Sequence, residues 1–166
     1  MVKYTSCEVE EITLVKEVTV SASAGANTVN VFQLEGTVRV TEQVAEITEV
    51  TTLTNCTAVY ATLYDGTNTV NLTADGATLS GLPVGTVFTK DKDVTETYSV
   101  LDASQCRVNE VVDDKKIGKP FTITQKNGAN TYIRLHFTTT DDPISFKILL
   151  KFKYVPIDGG SLTWLV

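Results

Sequence analysis

The sequence predicts an all-β, antiparallel β-sandwich, and three observations carry that prediction. Thr and Val supply about three in every ten of the 166 residues, and both favour strands. Short alternating apolar segments recur along the chain, divided by turn compositions at intervals of about ten residues. No long stretch keeps the spacing of an amphipathic helix. The length suits one domain with a real core, so residues 1–166 read as a single sandwich domain. About eight to ten strands in two sheets are expected, jelly-roll-like or immunoglobulin-like, two topologies that alternation alone does not separate.

In chain order, the first twenty residues are compatible with an extended N-terminal arm. Alternation then comes in pieces at Val18 and Val20, Val29 and Val31, and Val38 and Val40, with breaks at "SAGAN" and "EG". "TEQVAEITEV" keeps a three-residue spacing at Val44, Ile47 and Val50 that would suit a short helix. It also alternates, and the flanking threonines favour strand. From Cys56 the hairpin grammar sharpens: "CTAVYATLY" ends at "DGTN" and "TVNLT" follows, an Asp-Gly turn between apolar alternations. "ATLSGLPVGTVFTK" reads as two short strands bent at Gly81–Gly85, with Pro83 at a strand start or edge. "TYSVLDASQCRVNEVV" adds another strand and a turn.

The last third is the best patterned. In "TYIRLHF", Ile133, Leu135 and Phe137 share one face while Tyr132, Arg134 and His136 share the other. "TTTDDPIS" is a loop. In "FKILLKFKY", Phe146, Ile148, Leu150, Phe152 and Tyr154 point inward, with Lys147, Leu149, Lys151 and Lys153 outward. Two consecutive strands of this kind are expected to pair, placing Arg134, His136 and the lysines on a common exposed face.

The net charge of −6 argues against a nucleic-acid partner, which would need a basic footprint. Glu dominates the first fifty residues and Lys the last third. That polarity fits two solvated faces, and it would also suit head-to-tail contacts. No apolar run is long enough for a membrane-spanning helix, so no membrane partner is expected. The opening "MVKYTSCEVEEITLVKEV" lacks the apolar core of a secretory signal. Cys7, Cys56 and Cys106 fit neither a disulfide framework nor a zinc site, and are expected to be reduced in a protein folded in a cytoplasm.

Chemistry is sparse. His136 is the sole imidazole, and its place on a regular strand makes it a surface or interface residue rather than a base. "DKDVTETYSVLD" spaces its acids somewhat like a calcium loop, but has Glu96 where Gly is needed. The pairs Asp113–Asp114 and Asp141–Asp142 suit turns. "NCT" and "NLT" match a glycosylation pattern that a Thr-rich chain meets by chance. "GLPVG" and "DGG" are turn glycines without the flanks of a phosphate loop. No catalytic residue, metal site or cofactor is expected, and the chain reads as non-enzymatic. The terminal "SLTWLV" is unusually apolar for a chain end: it either closes the sandwich as a last strand or makes an inter-subunit contact anchored on Trp164. Leu162, Trp164, Leu165 and Val166, with Arg134, His136, Lys151 and Lys153, are the expected interface residues.

With "ATLYDGTNTVNLTADGATLSGLPVGTVFTKDKD" and "FTITQKNGANTYIRLHFTTTDDPISFKILLKFKYVPIDGGSL", the chain resembles β-rich accessory virion proteins of tailed bacteriophages, of the capsid decoration, cement or head-fibre type. The resemblance covers roughly residues 56–160 and lies in texture rather than in a motif. It implies a sandwich that oligomerises as a trimer or dimer and binds a major capsid or other virion protein. The virion would be its location after assembly in the host cytoplasm. The alternative from the residues themselves is a carbohydrate-binding or adhesive module, which needs an aromatic platform; Tyr60, Tyr64, Tyr98 and Tyr132 are its candidates.

Overall fold

A computed structural model describes residues 10–50, 55–89, 99–101, 120–140 and 144–166. Within them lie nine strands: β1 Ile12–Ala22, β2 Gly25–Val50, β3 Cys56–Tyr64, β4 Thr69–Asn71, β5 Val87–Thr89, β6 Ser99–Leu101, β7 Phe121–Thr124, β8 Thr131–Thr139 and β9 Ile144–Trp164. They form one hydrogen-bonded sheet whose main path runs β1-β9-β2-β8-β3-β4. Every pairing in it is antiparallel, as the alternating pattern predicts.

The single sheet is folded over on itself into two layers. Phe152 is paired in register with Gln43, yet its ring lies 4.7 Å from that of Phe32, eleven residues back along β2. A straight strand would separate those positions by about 36 Å, so β2 must turn back across the core. Phe137 and Phe146 repeat the observation at 5.9 Å, although their partners on β2 are Asn27 and Val50. One layer therefore holds β4, β3, β8, the first part of β2 and the end of β9. The other holds β1, the start of β9 and the later part of β2, with β5 and β7 on its flank.

Two strands pass through the corner between the layers. The register runs Glu35↔Ser161 and then Thr37↔Ile157, so Gly36 alone faces Asp158, Gly159 and Gly160. Gly36, Asp158 and Gly159 have φ of 64°, 50° and 79°, left-handed values that let the backbone bend sharply. Gly160 is needed for a different reason: a Cβ there would meet the Thr37 carbonyl oxygen at 1.9 Å. The break expected at "EG" is thus a bulge inside one continuous β2, and "DGG" is its counterpart in β9. A loop-forming composition bends a strand here because its partner strand bends with it.

Further bulges set which side chains face inward. The Val40/Glu42 shift turns Glu42 outward and brings Gln43, Ala45 and Ile47 opposite the buried Phe152, Leu150 and Ile148. "TEQVAEITEV" is accordingly strand. The core comprises Val18 and Val20 from β1, Phe32, Leu34, Val38, Val40 and Ile47 from β2, and the alternate residues Phe146–Tyr154 of β9 as expected. An apolar space of about 50 Å³ remains beside Ala45, Ala61 and Leu79.

Of the two short strands expected in "ATLSGLPVGTVFTK", the second forms as β5, while Leu72 to Thr86 is a loop, tied to β3 by Leu79 N–H donating to the Cys56 carbonyl (2.9 Å) and by the bridge Val59↔Ala77. Leu72, Ala77 and Leu79 cap the core with local turns instead of a second ladder. Cys56 is fully buried beneath it. The "DGTN" hairpin forms as read: Asp65 accepts from Thr67 N–H (2.9 Å) and Asn68 N–H (2.6 Å), and these bonds, led by Asn68, hold its carboxyl well below the usual carboxylate range. From Ile12 on, the stretch read as an arm is the edge strand β1. Cys7, Cys106, Tyr98, residues 91–98 and 102 of the acidic stretch, and the aspartate pairs lie outside the described residues.

Candidate binding face

β8 and β9 do not pair as their succession in sequence suggests. β2 lies between them, and the chain crosses from one layer to the other between Thr139 and Ile144. His136 and Arg134 consequently occupy the outer face of one layer, and Lys147, Lys151 and Lys153 that of the other. The expected common face is split in two, because a chain that changes layers reverses which surface its outward residues reach.

The lysine face neutralises itself. Lys147 pairs with Glu49 at 2.5 Å, and Glu42 pairs with Lys151 at 2.7 Å and Lys153 at 3.0 Å. The hydrogen bond from Lys151, ahead of the one from Lys153, holds the Glu42 carboxyl below its ordinary value. The acidic start and basic end of the sequence are thus neighbours within one sheet. Exposed pairs of this kind contribute little to stability, and Lys151 and Lys153 are occupied within the chain.

The terminal apolar residues also turn inward. Leu162 is buried, and the Trp164 ring packs 4.2 Å from that of Phe32, tilted by 35°, as β9 completes its pairing with β2. Lys16 lies 5.8 Å over the Trp164 ring and donates to the backbone oxygen of Val166, latching β1 of one layer to the end of β9 in the other. Val166 packs partly on the core, and Leu165 is left 44% exposed. Within the chain this segment is a closing strand, and Trp164 packs on Phe32.

The face built by β3, β8 and the start of β2 is different. A bulge in β3 sets it up: Thr57 faces Thr138 and Tyr60 faces His136, so two residues, Ala58 and Val59, oppose Phe137 alone. Ala58 takes φ 56°, a left-handed conformation that costs an Ala about 1–2 kcal/mol. Beyond the bulge Val59 and Ala61 face the core, and Tyr60, Thr62 and Tyr64 face out beside β8. The Asn30/Phe32 shift in β2 does the same opposite, bringing Thr28, Asn30 and Gln33 level with His136, Arg134 and Tyr132.

Two cross-strand stacks result. The His136 and Tyr60 rings lie 4.6 Å apart at 11°, and the Arg134 guanidinium sits 3.3 Å above the Tyr64 ring. His136 bonds through Nδ1 to Thr28 Oγ1 (3.0 Å) and through Nε2 to Thr62 Oγ1 (2.8 Å). A neutral imidazole satisfies both, donating to one hydroxyl and accepting from the other. Arg134 Nε donates to Asn30 Oδ1 at 2.8 Å, and the Tyr64 hydroxyl donates to the Gly66 carbonyl at 2.7 Å. Sequence reasoning placed His136 and Arg134 outward but left the tyrosines scattered. Only the bulges, which no composition marks, bring Tyr60, Tyr64 and Tyr132 together; Tyr98 lies outside the described residues.

Burial first, and Arg134 second, pushes the His136 pKa below its ordinary 6.5. Between that lowered value and 6.5 the unfolded chain takes up the proton and the folded chain does not. Stability contributed by neutral His136 is therefore present above 6.5 and is lost as the pH falls through the folded value. Urea midpoints measured at about pH 7.5 and 5.5 should show a larger acid loss for the native chain than for His136→Gln. Equal losses would mean that His136 does not titrate differently on folding.

No family model matches this chain, and no curated protein matches it. Among solved structures it is similar to a chain in a structure of infectious bursal disease virus, Gx strain, with 11% identity and a TM-score of 0.40. That likeness covers 90% of this chain and 33% of the viral one, so the chain spans about a third of the length it is compared with. At this score the likeness supports no functional argument; the molecule's own surfaces have to carry one.

Proposed function

We propose that the protein is a non-enzymatic structural component of a virion, binding and stabilising an assembled shell through contacts between subunits. The observation that carries the assembly half of this reading is β1. It is an eleven-residue edge strand, paired to β9 on one side and to no other strand among the described residues. It has no proline and no register shift, and Val15 and Ile12 on it are 54% and 36% exposed. Natural edges are usually shortened, bulged or covered; a long regular one is a template for another chain. Leu165 adds an exposed apolar residue to the outer surface. The virion setting is supported by the resemblance of the Thr/Gly/Asn-rich hairpins to phage accessory proteins.

His136 supports the non-enzymatic part, since both ring nitrogens are bonded to threonine hydroxyls and its face to Tyr60. A subunit that binds only the assembled shell lowers the shell's free energy by mass action. The test is co-sedimentation with particles from the protein's source, together with native mass measurement. The native chain should oligomerise and pellet with particles. Val15→Pro, on the outer face of the edge strand, should reduce self-association at least about tenfold while leaving the β-sheet spectrum in place. A monomer that never pellets with particles would sink the reading.

A further inference from the structure

We infer that β1 pairs antiparallel with β1 of a second copy of this chain, forming a two-fold dimer whose register is centred on Val15. This contact rests on the assembly role proposed for the edge strand, and gives that role its partner, symmetry and register.

The lengths of the edges point to one closed contact rather than a growing sheet. Among the described residues β1, β4, β6 and β7 each have a partner strand on one side only. β4, β6 and β7 are three, three and four residues long, which blunts them as templates, whereas β1 has eleven. β1 and β4 end the main path of the sheet, so one end is blunted and the other left open. A head-to-tail contact needs two different surfaces and propagates; a two-fold contact uses one surface twice and closes. With one long edge strand per chain, pairing β1 with its own copy consumes both edges and stops at two subunits. The second copy is the occupant because it brings an edge of matching length with every chain made.

Exposure along β1 places the centre. From Ile12 to Glu17 every residue is exposed or, at Leu14, half-buried, on both faces of the strand. From there on the inward residues Val18, Val20 and Ala22 are already buried within the chain. The apolar surface left for a neighbouring strand to cover is therefore that of Ile12, Leu14 and Val15. Directly opposite residues of an antiparallel pair project to the same face. A centre at Val15 sets Val15 against its own counterpart, Ile12 against Val18, Thr13 against Glu17 and Leu14 against Lys16, pairing residues 12–18 of each copy. Centres at Lys16 or Glu17 would set like charges directly opposite each other, which is destabilising. Centres further along β1 leave Ile12 beyond the end of the partner strand.

Cysteine cross-linking tests the register. Opposite Cα atoms in an antiparallel pair lie about 4.5–5.5 Å apart, within the span of a disulfide. Mild oxidation of Val15→Cys should therefore give a covalent dimer, with the native chain as the control for its own three cysteines. Thr19→Cys lies exposed on the same strand, but the register holds its two copies about 27 Å apart, so it should not cross-link. In sedimentation the native chain should form a dimer and nothing larger. Val15→Glu, which opposes two carboxylates and leaves the pairing of β1 with β9 in place, should weaken that dimer about tenfold. A native monomer, a trimer or open-ended series, or equal cross-linking at positions 15 and 19 would overturn the inference. A Val15→Cys dimer that never pellets with particles would remove the virion role and keep this contact. Particle binding by a chain that does not cross-link through Val15→Cys would do the reverse.

Discussion

Gly160→Ala is expected to cost at least about 4 kcal/mol and to leave little folded protein at room temperature. The new Cβ would lie 1.9 Å from the Thr37 carbonyl oxygen, 2.5 Å from its carbon and 2.7 Å from its nitrogen. All three are backbone atoms of the strand that turns the same corner, so no side chain can swing aside. Separating the strands there would break the pairing of β2 and β9 where both change layers. Gly159→Ala is the control. It has open space but φ of 79°, so its cost should be about 1–2 kcal/mol from backbone strain alone. Urea denaturation of both variants measures the difference, and equal losses would show that the corner is not closely packed.

Phe32→Ala is expected to be the most damaging core truncation, at about 3–5 kcal/mol. Phe32 is fully buried and touches Phe152 at 4.7 Å and Trp164 at 4.2 Å, joining both layers and the end of β9. Its removal would enlarge the apolar space it already borders. The Trp164 ring would lose the ring it packs against, so tryptophan fluorescence of the folded variant should shift towards that of exposed indole. Phe32→Leu, which keeps most of the volume, should cost less than half as much. A loss below about 1 kcal/mol for the Ala variant would mean that the layers are not packed through this residue.

The fold class was legible because it depends on local pattern. Alternation at Phe146–Tyr154 and at Ile133–Phe137, and the Asp65–Gly66 turn, each report a period or a turn that a few residues encode. What failed to show was long range. Nothing in "LEGTV" distinguishes a turn from a bulged corner, since Gly36 suits either, and the deciding contact is with Gly160, far along the chain. The same holds for the binding face. His136 and Arg134 could be placed outward from their own strand, but Tyr60 and Tyr64 reach them only through a positive φ at Ala58, a residue that does not advertise one. The lysines were misplaced for the related reason that consecutive strands need not be neighbours.

The corner through which β2 and β9 pass also bears on how the chain reaches its native state. Both layers are completed by β9, which supplies the partner of β1 and the long partner of β2. On the growing polypeptide β1 and β2 emerge first and wait for a strand made after the other eight. Such distant pairing pays its loop-closure entropy early, so folding should be slow and should follow synthesis of β9 rather than accompany translation. Until then β1 lacks its partner on both edges, and the surface proposed for assembly is at that stage a hazard for premature association.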